Sequence, residues 1–179
     1  TTNGALIRKH MGLLPLMFQA WIWLLTAAGK GASNCAQAPS HGRNLHVNPT
    51  ERFEQEVRDH ISGLKADKDV QALSRIWLRE LTPHKYAYNF KWMGRPIIQL
   101  PQDMMAMQEI LWEVKPDLVI ETGVAHGGSI LYYASLLELI GHGEVLGIDI
   151  DIRAHNLEAI EAHPMSTRVR LLQGSSIDP

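Results

Sequence analysis

A nine-residue stretch, Glu121 to Ser129 (ETGVAHGGS), carries the chemistry that this sequence offers most plainly. It separates a short apolar run beginning at Leu118 (LVIETG) from SILYYASLLELI, an apolar segment of helical spacing over Ser129 to Ile140. In an open parallel sheet, ligands gather beyond the carboxyl ends of the strands, where the strand–helix turn presents backbone amides. Gly123, Gly127 and Gly128 let the main chain turn sharply and let a ligand approach without an intervening side chain. The pattern is not G-x-G-x-x-G, because Ala125 holds the place of the second glycine. That departure weakens a pyrophosphate-binding nicotinamide site and favours a ligand without phosphates.

Glu121 is the most informative residue of the turn. A carboxylate at the end of a buried strand would repel phosphate but can accept hydrogen bonds from an ammonium group, such as the one on the methionine end of S-adenosylmethionine. Its alternative roles are to cap the following turn or to pair with a neighbouring base. A second carboxylate, Asp149, follows Gly128 by 21 residues, the spacing at which such folds set an acid against ribose hydroxyls. Asp151 would face the same side if the strand ran that far, so either acid could hold the ribose; helix N-capping is the competing role for Asp151. Beyond the next apolar run, Ser175 and Ser176 could bond an adenine edge while Ile177 packs on the ring, or they could form a plain loop. His126 lies within the glycine turn, where contact with a ligand and simple solvation are both open.

Other chemistries lose support. The nine histidines show no H-E-x-x-H spacing, and neither a phosphate-binding G-x-x-x-x-G-K-[ST] loop nor a G-x-S-x-G nucleophile turn occurs. One cysteine in 179 residues rules out a disulfide framework and a paired-cysteine zinc site. With 17 basic against 19 acidic residues the net charge is −2, which gives no general reason to expect nucleic acid.

The elements that must position the turn read as helix, helix, then βαβαβ. Thr50 is the expected N-cap of a first helix with Phe53, Val57 and Ile61 as core positions. Asp67 to Leu81 is a second, with Val70, Leu73, Ile76, Trp77 and Leu81 at helical spacing. The stretch YAYNFKWMGRPIIQLPQD suits neither regular element; its Tyr86, Tyr88, Trp92 and Arg95 could line an acceptor pocket or form an aromatic plug packing the N-terminal helices onto the sheet. Pro101 opens a third helix reaching Val114, whose methionines are read as core packing. Strands follow at Leu118, at Glu144 to Ile150 and at Val169 to Leu172, with crossover helices over Ser129 to Ile140 and Ala154 to Ala162, an alternation that implies a parallel sheet. Upstream, Leu13 to Ala28 (LLPLMFQAWIWLLTAA), preceded by Arg8 and Lys9, imitates a secretory signal or short anchor. It falls short of the roughly 20 residues of a comfortable span, and Ala-Ser-Asn before Cys35 is a poor lipoprotein signal. A mobile leader and sequence upstream of the true start are the alternatives.

The run YAYNFKWMGRPIIQLPQDMMAMQEILWEVKPDLVIETGVAHGGS, with GEVLGIDIDIRAHN and GSSIDP after it, closely resembles the cephalosporin hydroxylase family, which also contains the rhamnosyl O-methyltransferases of cell-wall glycolipids. The likeness covers about Pro49 to Pro179. It implies an α/β, Rossmann-like class I methyltransferase fold, a parallel sheet with helices on both faces, N-terminal helices added and the C-terminal half missing. It implies S-adenosylmethionine as cofactor, held by Glu121, Gly123, Gly127, Gly128, Ser129, Asp149, Ser175 and Ser176; Asp151 stays a candidate from the residue reading alone. It also implies Mg2+, with ligands expected beyond residue 179; the sheet's remaining edges are then expected to be unpaired.

The expected division is a leader of uncertain status over 1–48, a helical region over 49–115, and the first βαβαβ half of the cofactor domain over 116–179. The expected function is metal-assisted O-methylation of a hydroxyl on a sugar, glycolipid or small metabolite, with lipid biosynthesis as a setting. Hydroxylation of a small metabolite and a non-catalytic fragment are the alternatives, and a nicotinamide dehydrogenase ranks last. A small-molecule or glycolipid substrate, no nucleic acid, and a cytoplasmic location are expected. Membrane contact would come only through the leader, and homo-oligomers stay open.

Overall fold

Three parallel strands joined by helical crossovers organise the chain around the glycine turn. The computed structural model describes residues 22–23 and 48–177. The apolar run from Leu13 to Ala28 (apart from Ile22 and Trp23), Cys35 and Asp178 lie outside the described residues. The described residues divide into two compact units, one holding residues 81–177 with 22–23, the other residues 48–80.

The smaller unit contributes helix α1 (Pro49–Ala66) and most of α2 (Lys68–Leu81). The N-cap of α1 is Asn48 rather than Thr50: the Asn48 side chain accepts the Thr50 N–H at 3.0 Å. Asn is a stronger cap than Thr, and Pro49 at the first helical position gives up an N–H that would have no helical partner. Asp67 precedes α2 instead of opening it, accepting the amides of Asp69 and Val70 at 3.0 Å each. No residue of α1 or α2 is fully buried. Phe53, Leu73, Ile76 and Trp77 are exposed, while Val57, Ile61, Val70 and Leu81 are half-buried. Helical spacing assigns a face, but enclosure takes a second layer, which two helices alone do not supply.

In the larger unit β1 (Ile22–Trp23), β4 (Leu118–Thr122), β5 (Glu144–Asp149) and β6 (Val169–Gln173) form one sheet in the order β1-β4-β5-β6. The parallel register runs from Leu118↔Glu144 to Thr122↔Ile148, and from Val145↔Val169 to Asp149↔Gln173. The order 3-2-1 of the parallel strands is that of a Rossmann-like half. The outer edge of β4, expected to be unpaired, carries β1 antiparallel, with Ile22 opposite Glu121. Both β5 and β6 end one residue away from their expected limits, at Asp149 and Gln173.

Helices α3 (Pro101–Val114), α4 (Gly128–Ile140) and α5 (Ala154–Glu161) complete the unit. Pro101 opens α3 as expected; Met104 and Met107 pack against the core, whereas Met105 is exposed. Helix α4 is apolar nearly all round because it is covered on several sides, by β5, α3 and a hairpin. Ile130, Leu131, Ala134 and Leu137 are fully buried there and share the core with Val119 and Val145.

That hairpin is the stretch expected to be irregular. β2 (Phe90–Trp92) and β3 (Arg95–Ile97) pair antiparallel across Met93 and Gly94, whose φ values are +46° and +87°. Positive φ at both central residues matches the twist of a two-residue hairpin. Met93 is not a residue type that announces such a turn, and Pro96 argues against a strand. Trp92 meets Tyr132 of α4 edge-on at 4.9 Å and donates from Nε1 to Ser135 Oγ at 3.0 Å.

Among the described residues no helix is long and apolar enough to cross a membrane.

Candidate functional site

The parallel register brings the carboxyl ends of β4, β5 and β6 to one edge. Glu121 lies beside Gly147, and Asp149 beside Gln173. The Gly174 amide bonds the Asp149 carbonyl at 2.9 Å, so the segment holding Ser175 and Ser176 starts at the same edge.

Glu121 occupies an inward position of β4 and is only 9% exposed. Its Oε2 accepts the Ser129 hydroxyl at 2.9 Å, which joins two of the expected cofactor residues across the turn. Burial pushes the Glu121 carboxyl up to about 8, with the Ser129 hydrogen bond pulling the other way. The side chain neither caps the turn's backbone nor pairs with a base among the described residues. The raised value leaves the Glu121 carboxyl mostly protonated at neutral pH.

The three glycines do different work. Gly123 has φ +90° and open space where a Cβ would lie, so its missing side chain leaves room for a ligand. The other two make room for the protein itself. A Cβ on Gly127, at φ +79°, would stand 2.3 Å from Ile160 Cδ1 of α5. A Cβ on Gly128 would stand 2.1 Å from the Pro96 carbonyl oxygen, so β3 backbone already fills that side. Of the two expected reasons, sharp turning and ligand approach, the positive φ of Gly123 and Gly127 fits the first, and Gly123 alone of the three has open space where a Cβ would lie.

Asp149 closes the turn. Its Oδ2 accepts the amides of Val124 at 2.7 Å and Ala125 at 3.3 Å, and its Oδ1 accepts the Asp151 amide at 3.1 Å. Burial raises its pKa, but the amides of Asp151, Val124, Ala125 and Ile150 outweigh it and leave the carboxyl below the usual range. Asp151 is exposed and lies past the strand's end, so strand alternation does not extend to it. It does not cap α5 either: the N-cap is Arg153, without a side-chain cap bond. Ser175 Oγ accepts the Ile177 amide at 3.3 Å in a turn, and Ser176 and Ile177 are exposed.

The fold brings two more residues to the turn: Arg95, which the sequence offered only as a pocket-lining or plug residue, and Asn156, which it did not single out. Arg95 of β3 donates from Nε and Nη2 to the His126 carbonyl, at 3.0 and 2.7 Å. Asn156 of α5, 2% exposed, donates from Nδ2 to the Ala125 carbonyl at 2.8 Å. Behind Glu121 lies a further polar group: Gln99 Nε2 donates to the Tyr133 hydroxyl at 3.1 Å, while Gln99 Oε1 and Asp103 Oδ1 are buried without a hydrogen-bond partner. Burial first, then the nearby Glu121, pushes the Tyr133 hydroxyl well above its ordinary value, and burial pushes Asp103 up to about 6. Among the described residues no three His, Cys, Asp or Glu side chains converge as metal ligands.

The rhamnosyl O-methyltransferase/CmcI family matches residues 84–179, more than half of the chain. A protein named rhamnosyl O-methyltransferase from Mycobacterium leprae is 43% identical over 74 residues, which cover 37% of this chain and 32% of the relative. Proteins of the same name from Mycobacterium bovis and Mycobacterium tuberculosis are 36% identical over 103 residues, covering 54% of this chain and 40% of theirs. The chain thus spans at most 40% of the length of these relatives. A solved structure of cmcI with SAH aligns with 78% of this chain and 59% of its own at 21% identity and a TM-score of 0.41, a likeness too loose to place any residue. On the family match over residues 84–179, the chain belongs to the rhamnosyl O-methyltransferase/CmcI family.

Proposed function

We propose that the turn from Glu121 to Ser129 binds S-adenosylmethionine, and that the chain is part of an O-methyltransferase acting on a hydroxyl of a sugar such as a rhamnosyl unit. One observation carries the cofactor reading: a buried acid, Glu121, sits at a strand end beside the open Gly123, with Asp149 at the next strand end. The acceptor class follows the names of the Mycobacterium relatives.

Each residue has a definite task in this reading. Glu121 ionises and accepts hydrogen bonds from the ligand's ammonium, and Ser129 holds the carboxylate in place. Gly123 allows main-chain approach. Asp149, whose Oδ2 accepts the amides of Val124 and Ala125 and whose Oδ1 accepts that of Asp151, is the acid this reading sets against a ribose hydroxyl. Ser175, Ser176 and Ile177, which follow β6 at the same sheet edge, are the residues this reading assigns to the adenine end. Bound there, the cofactor would supply an electrophilic sulfonium methyl to an acceptor hydroxyl. The chain's share of that step is orientation, which a pre-set turn provides before the acceptor arrives. None of the described residues is assigned as a ligand of the Mg2+ that the resemblance implies.

The test is calorimetric titration of S-adenosylmethionine and its demethylated product into the full chain and into Glu121→Gln, with folding followed by circular dichroism. Charged hydrogen bonds contribute about 1.5–3 kcal/mol, so Glu121→Gln should weaken S-adenosylmethionine binding by about tenfold or more. A folded wild-type chain that binds neither ligand would remove the reading.

A further inference from the structure

The glycine turn is held from outside the strand–helix unit that contains it. On one side, Asp149 takes the amides of Val124 and Ala125. On the other, the Ala125 carbonyl is bonded by Asn156 and the His126 carbonyl twice by Arg95. Arg95 Nη2 also donates to Asn156 Oδ1 at 3.0 Å, so the two side chains form one unit. The hairpin is seated on the same turn through its backbone, because Pro96 and Ile97 approach Gly128 closely. Between these holds, Ala125 keeps φ +47°, a left-handed conformation that a non-glycine residue adopts only when its surroundings impose it.

We infer that Arg95 and Asn156 are positioning residues of the ligand site: they lock the carbonyls of Ala125 and His126, and so set the turn in its binding conformation before the ligand arrives. Geometry favours this over a general packing role. Arg95 directs three donor contacts into the turn and its clamp partner, and both acceptors, the His126 carbonyl oxygen and Asn156 Oδ1, are neutral oxygens. A guanidinium fork reaches two acceptors in fixed geometry, which a lysine cannot reproduce. Asn156 uses its oxygen toward Arg95 and its nitrogen toward the turn, so its amide links a residue 61 positions away to one 31 positions away. Pre-organisation of this kind raises affinity by removing the ordering cost of binding.

The inference rests on S-adenosylmethionine as the ligand, and the experiment separates the two claims. In the full chain, wild type, Arg95→Ala, Arg95→Lys and Asn156→Asp are compared by calorimetry with S-adenosylmethionine, by thermal unfolding, and by hydrogen exchange of the amides from Gly123 to Gly128. Asn156→Asp keeps an acceptor for Arg95 and removes the donor to Ala125. We expect Arg95→Ala to lose about tenfold in affinity and to exchange faster in the turn, with partial recovery of both on adding guanidinium. Arg95→Lys and Asn156→Asp should fall between it and wild type, and they decide the matter if Arg95→Ala does not fold. Unchanged affinity in folded variants overturns the inference. Lost affinity without faster exchange in the turn also overturns it, making Arg95 a direct ligand contact. If wild type binds no S-adenosylmethionine, the proposed function fails, while the exchange data still report whether the clamp orders the turn.

Discussion

The Ser129 hydroxyl donates to the Glu121 carboxyl at 2.9 Å, bridging the last turn of a buried strand and the first turn of the helix that follows it. The bond gives a buried acid one fixed partner and leaves its other oxygen for a ligand. It also makes this pair the place where proton binding and ligand binding meet.

Ligand affinity should therefore depend on pH. Glu121 is protonated in the free protein up to about 8, and an ammonium is held by the ionised form, so binding releases a proton. S-adenosylmethionine affinity should rise between pH 6 and pH 8 by at most about tenfold per unit. The slope is measured by calorimetry in buffers of different ionisation enthalpy, and Glu121→Gln should abolish it.

Free-protein stability should move the opposite way. The folded-state value of Glu121, about 8, lies above its ordinary 4.5, so the folded state binds the proton more tightly. Stability is then greatest below the ordinary value, falls as pH rises toward 8, and levels off beyond it. Asp103, raised from 3.8 to about 6, adds a fall of the same sign in its own lower window. Asp103→Asn should flatten that part and stabilise the protein at pH 7 by about 1–3 kcal/mol. Denaturant melts at pH 4, 6 and 8 would show it.

Two glycine substitutions should part company. Gly128→Ala puts a methyl 2.1 Å from the Pro96 carbonyl oxygen of β3, a backbone atom rather than a flexible side-chain end. It should cost about 3 kcal/mol or lower expression outright. Gly123→Ala meets no atom within 4 Å, but φ is +90°, so it should cost about 1–2 kcal/mol of strain. Its larger effect should be on ligand affinity. Thermal melts and calorimetry on the same two proteins distinguish these outcomes.

Ala125→Gly should stabilise. Ala125 is exposed at φ +47°, a conformation that costs an L residue about 1–2 kcal/mol. Glycine gives back roughly 0.5–1 kcal/mol of that through its more flexible unfolded chain. The net gain of about 1 kcal/mol or less should raise Tm by up to about 3 °C, read by calorimetric scanning.

The sequence by itself determined the order of the parallel strands and crossovers, the place of the turn, and Glu121 and Asp149 as the acids at two strand ends. These follow from period, punctuation and spacing over a few residues, which local physics controls. The tertiary structure alone decided what the turn leans on. Arg95 reaches His126 across 31 positions, and Asp149 reaches Val124 across 25; no short window contains both partners. The same reason hid Asn156, which reads as an ordinary residue near a helix start until its amide is seen against the Ala125 carbonyl. It also hid the work of Gly128, since a missing side chain shows in sequence as freedom and only in three dimensions as contact with Pro96. The β2–β3 hairpin was hidden by a conflict of local signals: Pro96 and Met93 speak against it, and packing of Trp92 on α4 overrides them.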